Sequence, residues 1–174
     1  MAFSMLTKSH LPAAHVSIYW EDLLPGSIRE LGSVTVLEKE MLVFAKQFDP
    51  QPFHLSRQAG EDSIFGDLCA SGWHTCSMAM RLTVDNLLKH SSSLGSPGLE
   101  SVKWVHPVFA GDVLTLRHTI KESRPLRKRL DVGLVLSVWE MFNQTGDMVL
   151  RMEGYGMFGR RTPGTASPET PEAS

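Results

Sequence analysis

The stretch "SGWHTCSMAMRLTVDNLLKH", residues 71–90, decides the fold. Arg81, Asp85 and Lys89 recur every four residues, so on a helix they form one narrow charged stripe with ion pairs along it. Most of the remaining circumference is apolar, carried by residues such as Trp73, Met78, Ala79, Leu82 and Leu87. A helix with so thin a polar face is expected to be largely wrapped by other elements. Four strand-like runs follow it, at 99–108, 111–122, 130–144 and 146–158. The clearest alternation sets Leu114, Leu116 and Ile120 against Thr115, Arg117, Thr119 and Lys121, with His118 the exception on the apolar side. "AGD" at 110–112 and "QTGD" at 144–147 carry turn chemistry suited to hairpins. Upstream, "GSVTVLE" (32–38) reads as a short strand and "EKEMLVFAKQF" (38–48) as a helix that Pro50 stops. This order predicts an α+β protein in which one curved antiparallel sheet wraps a long central helix. An open sheet leaves edges, so a homodimer that extends the sheet, or a higher homo-oligomer of such dimers, is expected.

With 174 residues the chain is large enough for one domain with a real core and too short for two ordinary ones. That domain is expected over 16–159, with a weakly patterned lead-in at 1–15 and a Pro/Ser/Thr/Glu-rich tail at 160–174 that has nothing to bury. A formal charge of −2 gives no electrostatic case for a nucleic-acid partner. Two cysteines, Cys69 and Cys76, are too few for a disulfide framework or a structural zinc site. No run is long and apolar enough to predict a secretory signal or a membrane-spanning helix, so a cytoplasmic protein without a membrane partner is expected.

Chemistry concentrates in "FDPQPFHLS", residues 48–56. Asp49 and His54 stand five positions apart with Pro50 and Pro52 stiffening the peptide between them. On spacing alone two readings stay open: Asp49 caps a turn through its side chain, or the two form an acid–base pair. Ser71 and Gly72 open the long helix. The first N–H groups of a helix lack intrahelical partners and lie at the positive end of its dipole. Gly72 has no side chain to block an oxygen approaching its N–H, while Ser71 suits the N-cap by residue type.

Taken together, "FDPQPFHLS", "FGDLCASGWHT" and "VHPVFAGDVL" resemble the MaoC-like dehydratases, or (R)-specific enoyl-CoA hydratases, of hotdog fold, over about residues 25–158. The family pattern runs Asp, any residue, Asn-Pro, an apolar residue, His, followed roughly twenty residues later by His-Gly or Ser-Gly at the start of the central helix. Asp49, Pro52, His54 and Gly72 match it. Gln51 stands where the Asn is usual, Ser71 where His is common, and Pro50 at a variable position.

The resemblance implies a hydro-lyase that adds water reversibly to a 2-enoyl-CoA to give an (R)-3-hydroxyacyl-CoA, with acyl-CoA as the partner molecule and neither metal nor redox cofactor. It implies Asp49 and His54 as the catalytic pair, Gly72 in the oxyanion hole assisted by Gln51, and Ser71 and Ser77 in support. Alternative readings are a branched or dicarboxylic (mesaconyl-type) substrate, a hotdog thioesterase, and a non-catalytic acyl-CoA-binding subunit. "GYGMFG" (154–159) fits a dinucleotide pattern formally, but it leads into the tail rather than a helix, so a strand is expected there. Arg124, Arg127, Lys128 and Arg129 are read as a solvated hairpin loop, with CoA phosphates the less favoured alternative.

Overall fold

The structure is a computed structural model and describes residues 16–162. After a short 3-10 turn at Trp20–Asp22 come β1 (Ile28–Thr35), α1 (Glu38–Phe48), α2 (Pro52–Leu55), α3 (Arg57–Glu61) and α4 (Gly72–Asn86). A second 3-10 turn, Leu88–His90, leads into β2 (Ser93–Trp104), β3 (Val113–Pro125), β4 (Val132–Phe142) and β5 (Met148–Gly159). The strands form one antiparallel sheet in the order β1-β3-β4-β5-β2, so β1 and β2 are its edges. Met78 and Ala79 of α4 share one core cluster with Leu114, Leu116 and Ile120 of β3, Met141 of β4 and Leu150 of β5. This is the α+β hotdog arrangement, a curved sheet around a long helix. Alternation on β3 is as read: Leu114, Leu116, His118 and Ile120 are buried, their neighbours exposed or half-buried. Among the described residues no helix is long and apolar enough to cross a membrane.

Two expectations need correction. The first concerns α4, which is wrapped on one side only: His74, Thr75, Met78, Ala79 and Thr83 are buried, whereas Trp73 and Met80 are more than half exposed. A thin polar stripe reports how apolar a helix is, not how much of it one subunit covers. Arg81 and Asp85 do pair along the stripe, but Lys89 has passed into the 3-10 turn.

Second, β2 starts at Ser93, six residues before the apolar run. Its first half, Ser93 to Gly98, is recruited by pairing to Phe158, Met157 and Tyr155 of β5, through register shifts at Gly95 and Gly98. Pro97 is tolerated because an edge strand has one unpaired side. β1 likewise begins earlier, at Ile28, and shifts register between Glu30 and Ser33 around Gly32.

Contacts continue just past β5. Arg160 lies within reach of Glu21 and Arg161 binds Asp22 at 2.7 Å, tying the end of β5 to the first turn. Residues 1–15 and 163–174 lie outside the described residues. "GYGMFG" is part of β5, where Leu99 and the Gly98 carbonyl of β2 occupy the space a side chain at Gly154 would need.

Candidate active site

Pro50 ends α1, and Asp49 becomes its C-cap with an extended φ of −149°. The Gln51 N–H turns back to the Asp49 carbonyl at 2.8 Å, and Pro52 starts the single turn of α2 at its first position, where a missing N–H costs nothing. That turn carries His54 back beside Asp49. The side chains meet with His54 Nε2 3.5 Å from Asp49 Oδ2, His54 buried and Asp49 half-buried.

Each partner is held by further groups. Asp49 Oδ2 accepts from Ser71 Oγ at 2.7 Å, and Oδ1 accepts from Gln51 Nε2 at 2.8 Å. Burial pushes the Asp49 carboxyl up, but the Ser71 and Gln51 hydrogen bonds and the adjacent His54 outweigh it, so its pKa lies below the ordinary carboxylate value. His54 Nδ1 lies 2.8 Å from the Cys69 carbonyl. A carbonyl only accepts, so Nδ1 carries a proton, and in the neutral form of the ring the lone pair lies on Nε2, the nitrogen nearer Asp49. The Cys69 carbonyl is itself fixed: Cys69 bridges to Phe109, and the Ala70 N–H donates to Val108 at 2.8 Å. The segment 106–109 therefore reaches the Asp49–His54 pair through a backbone it orients. Burial pushes the Cys69 thiol up to about 11, which keeps it a neutral neighbour of His54.

Ser71 links this pair to α4. Its Oγ donates to Asp49 and accepts from the Trp73 N–H at 3.2 Å, so it caps the helix and grips the carboxylate together. Gly72 is the first helical residue, and its N–H meets no acceptor among the described residues. Asp49, Gln51, His54 and Gly72 all face one cavity of about 400 Å³, whose other walls are largely apolar, with Phe53, Phe65, Val108 and Val149 among them. Neither Lys nor Arg lines it among the described residues. No group of three or more His, Cys, Asp or Glu side chains gathers among the described residues as a metal site would require.

Gln51 lines the cavity, and its amide Nε2 donates to Asp49 Oδ1. Ser77 stands apart: it is exposed, and its hydroxyl donates to the Trp73 carbonyl at 2.8 Å, one turn back on the outer side of α4. His74 stacks on Phe44 with ring centroids 4.9 Å apart, facing a groove between α1 and α4 rather than the pair. The basic loop between β3 and β4 lies beyond the Pro125–Gly133 pair, whereas the cavity is walled by the end of β2 and the start of β5, at the opposite end of the sheet. Sequence reasoning missed the Cys69 carbonyl, Trp104 and His106, all at the cavity. The last two lie in the strand-like run 99–108, and nothing local marks which way they point.

A curved sheet around a central helix, with a cavity and an Asp–His pair at that helix's start, defines a hotdog protein. The profile of the MaoC like domain matches residues 24–139, and the chain belongs to the MaoC-like dehydratase family. A solved MaoC-like dehydratase from Rhodospirillum rubrum is 33% identical, superposes with a TM-score of 0.76 and is covered over 99% of its length by 84% of this chain. The R-hydratase PhaJ1 of Pseudomonas aeruginosa, at 22% identity and a TM-score of 0.67, shares the fold over 90% of this chain and 96% of its own. Protein MaoC of Klebsiella aerogenes is 28% identical over 112 residues, 64% of this chain but 33% of that protein, so the chain spans only about a third of its length.

Proposed function

We propose that the protein is a hydro-lyase that adds water to the double bond of a 2-enoyl-CoA and releases an (R)-3-hydroxyacyl-CoA. The observation that carries this is the meeting, around one cavity, of the Asp49 carboxylate, the His54 Nε2 lone pair and the unpaired Gly72 N–H. A water beside Asp49 Oδ2 and His54 Nε2 is oriented by the carboxylate, which its low pKa keeps ionised. As the water oxygen bonds Cβ, its proton passes to Nε2, and the π electrons move through Cα onto the thioester oxygen. The Gly72 N–H, at the positive end of α4, stabilises that enolate oxygen. The imidazolium, paired with Asp49, then returns a proton to Cα, and the carbonyl re-forms. One proton leaves water and one reaches Cα, so His54 ends as it began.

Cavity size and charge support an acyl group without a second carboxylate. About 400 Å³ sits at the low end of the roughly 300–1,000 Å³ of small-ligand pockets, enough for the acyl end of the thioester with the nucleotide left outside. A dicarboxylic acyl group would want a Lys or Arg that this wall lacks. A thioesterase carboxylate on the central helix is also unsupported, since Asp85 is engaged by Arg81 near the far end of α4. Exposed apolar residues along β2, with Leu94 and Leu99 about half exposed, and the open side of α4 support a homodimer joined at that edge.

Loss of the conjugated-thioester absorbance of short enoyl-CoAs tests the activity, with chiral analysis of the product. Asp49→Asn and His54→Ala are each expected to lower kcat by about 10²–10⁴-fold. Full activity in both variants would remove the pair from the mechanism.

A further inference from the structure

Trp104, the last residue of β2, lies against the start of α4. A Cβ placed on Gly72 would come within 2.6 Å of the indole Cε2 and Nε1. That is inside any real contact distance, so the indole requires a glycine here. Two more residues of α4 hold the ring. Trp73 meets it edge to face, with centroids 5.2 Å apart and planes at 79°, and the Cys76 thiol lies by its N–H. Gly72 and Cys76 are four apart and so share one face of the helix, and Trp104 lies along that face. The indole also forms part of the cavity wall while 47% exposed, so it stands at the mouth, between Gly72 and solvent.

We propose that Trp104 is a positioning residue of the oxyanion site: its indole packs on the Cβ side of Gly72, walls the cavity beside the helix start and limits the side from which the thioester carbonyl enters. This rests on the hydro-lyase reading above. Water beside a helix-terminal N–H competes for it and screens it. A flat apolar wall next to that N–H displaces such water and makes the donor stronger at the moment negative charge develops on the oxygen, without adding a donor of its own. In this role Trp104 acts through Gly72 and is not itself the donor to the substrate oxygen.

The test uses wild type, W104F, W104A, G72A and the W104A/G72A double variant, with two readouts. One is hydration of a short enoyl-CoA. The other is the near-ultraviolet absorbance of the enolate of bound acetoacetyl-CoA, which reports the oxyanion site without turnover. W104A is expected to lower kcat about tenfold with KM changed less than about threefold, short of the roughly 10²–10³-fold loss seen when an oxyanion donor is removed. It should lower the enolate fraction in parallel, with W104F recovering most of both because a flat ring still covers the glycine. G72A should be impaired alone, yet add little in the W104A background, where its methyl group no longer meets the indole.

If W104A matches wild type in both readouts, or the G72A and W104A losses simply multiply, the inference is overturned while the hydro-lyase reading stands. If wild type hydrates no enoyl-CoA yet enolises acetoacetyl-CoA in a Trp104-dependent way, the hydro-lyase reading falls and the role of Trp104 survives. A wild type that does neither removes both.

Discussion

Ser71 Oγ serves two partners, donating to Asp49 at 2.7 Å and accepting from Trp73 at 3.2 Å. Replacing it with Ala removes a helix cap, a loss of about 0.5–2 kcal/mol, and takes one donor from the carboxylate. The remaining donor, Gln51, holds only Oδ1. In the S71A variant the Asp49 pKa is therefore expected to rise toward the ordinary value, moving the acid limb of the kcat/KM profile to higher pH. Thr at this position should restore both the cap and the limb. An unmoved limb in S71A would mean that Asp49 does not govern the acid side.

The same scale separates what was legible from what was not. Prolines and a helix start drew attention to Asp49, His54 and Gly72, but on spacing alone a turn cap stayed open, and it was the resemblance to a family pattern that singled out the three together. The turn of the Gln51 amide onto Asp49, and of Ser77 away from the pair, depends on side-chain partners whose positions no spacing records.

Among the elements, β2 and α4 differ most from their sequence reading, for one shared reason. Ser93–Gly98 has poor strand composition, yet β5 offers it a ladder of backbone partners, and a ladder outweighs propensity. α4 has the composition of a buried helix, yet one subunit covers only half of it. Its exposed Trp73 and Met80 and the exposed Leu94 and Leu99 of β2 are the apolar surface that the proposed homodimer would cover. Placing charge on the edge, as L94K with L99K, is expected to halve the mass seen by light scattering while leaving the circular dichroism intact. A wild type that runs as a monomer, or a variant whose mass stays that of the wild-type dimer, would exclude this edge as the interface. The middle of the meander was read correctly because β3 has one buried and one open face, which produces strict alternation.

Among the described residues two buried histidines lie outside the site, His74 and the more deeply buried His118. His118, 2% exposed, faces the core beside Trp139 with ring centroids 5.4 Å apart, and its Nδ1 has no partner among the described residues. Burial, with a smaller push from Arg29, lowers its pKa from 6.5 to about 4. Unfolded, this ring binds a proton below pH 6.5, and folded only below about 4. Between those values the unfolded state holds the extra proton, so stability falls as the pH drops through this window. It levels off below the window. The full effect is on the order of 3 kcal/mol. Urea unfolding at pH 7 and at pH 4.5 should show it as a lowered midpoint, and H118L should lose much of that drop. Equal drops in both proteins would assign the acid sensitivity to other groups.

Apolar periodicity, prolines and turn residues determined by themselves which elements form and in what order, and so the α+β class, because each acts over a few neighbouring residues. They also marked the Asp–His pair and the helix start beside it. Which side of α4 is covered, where β2 begins, that the Cys69 carbonyl sets the His54 tautomer and that Trp104 lies on Gly72 were decided only in three dimensions. Each of these is a contact between segments far apart in the chain, and the energy of such a contact belongs to the pair rather than to either stretch alone.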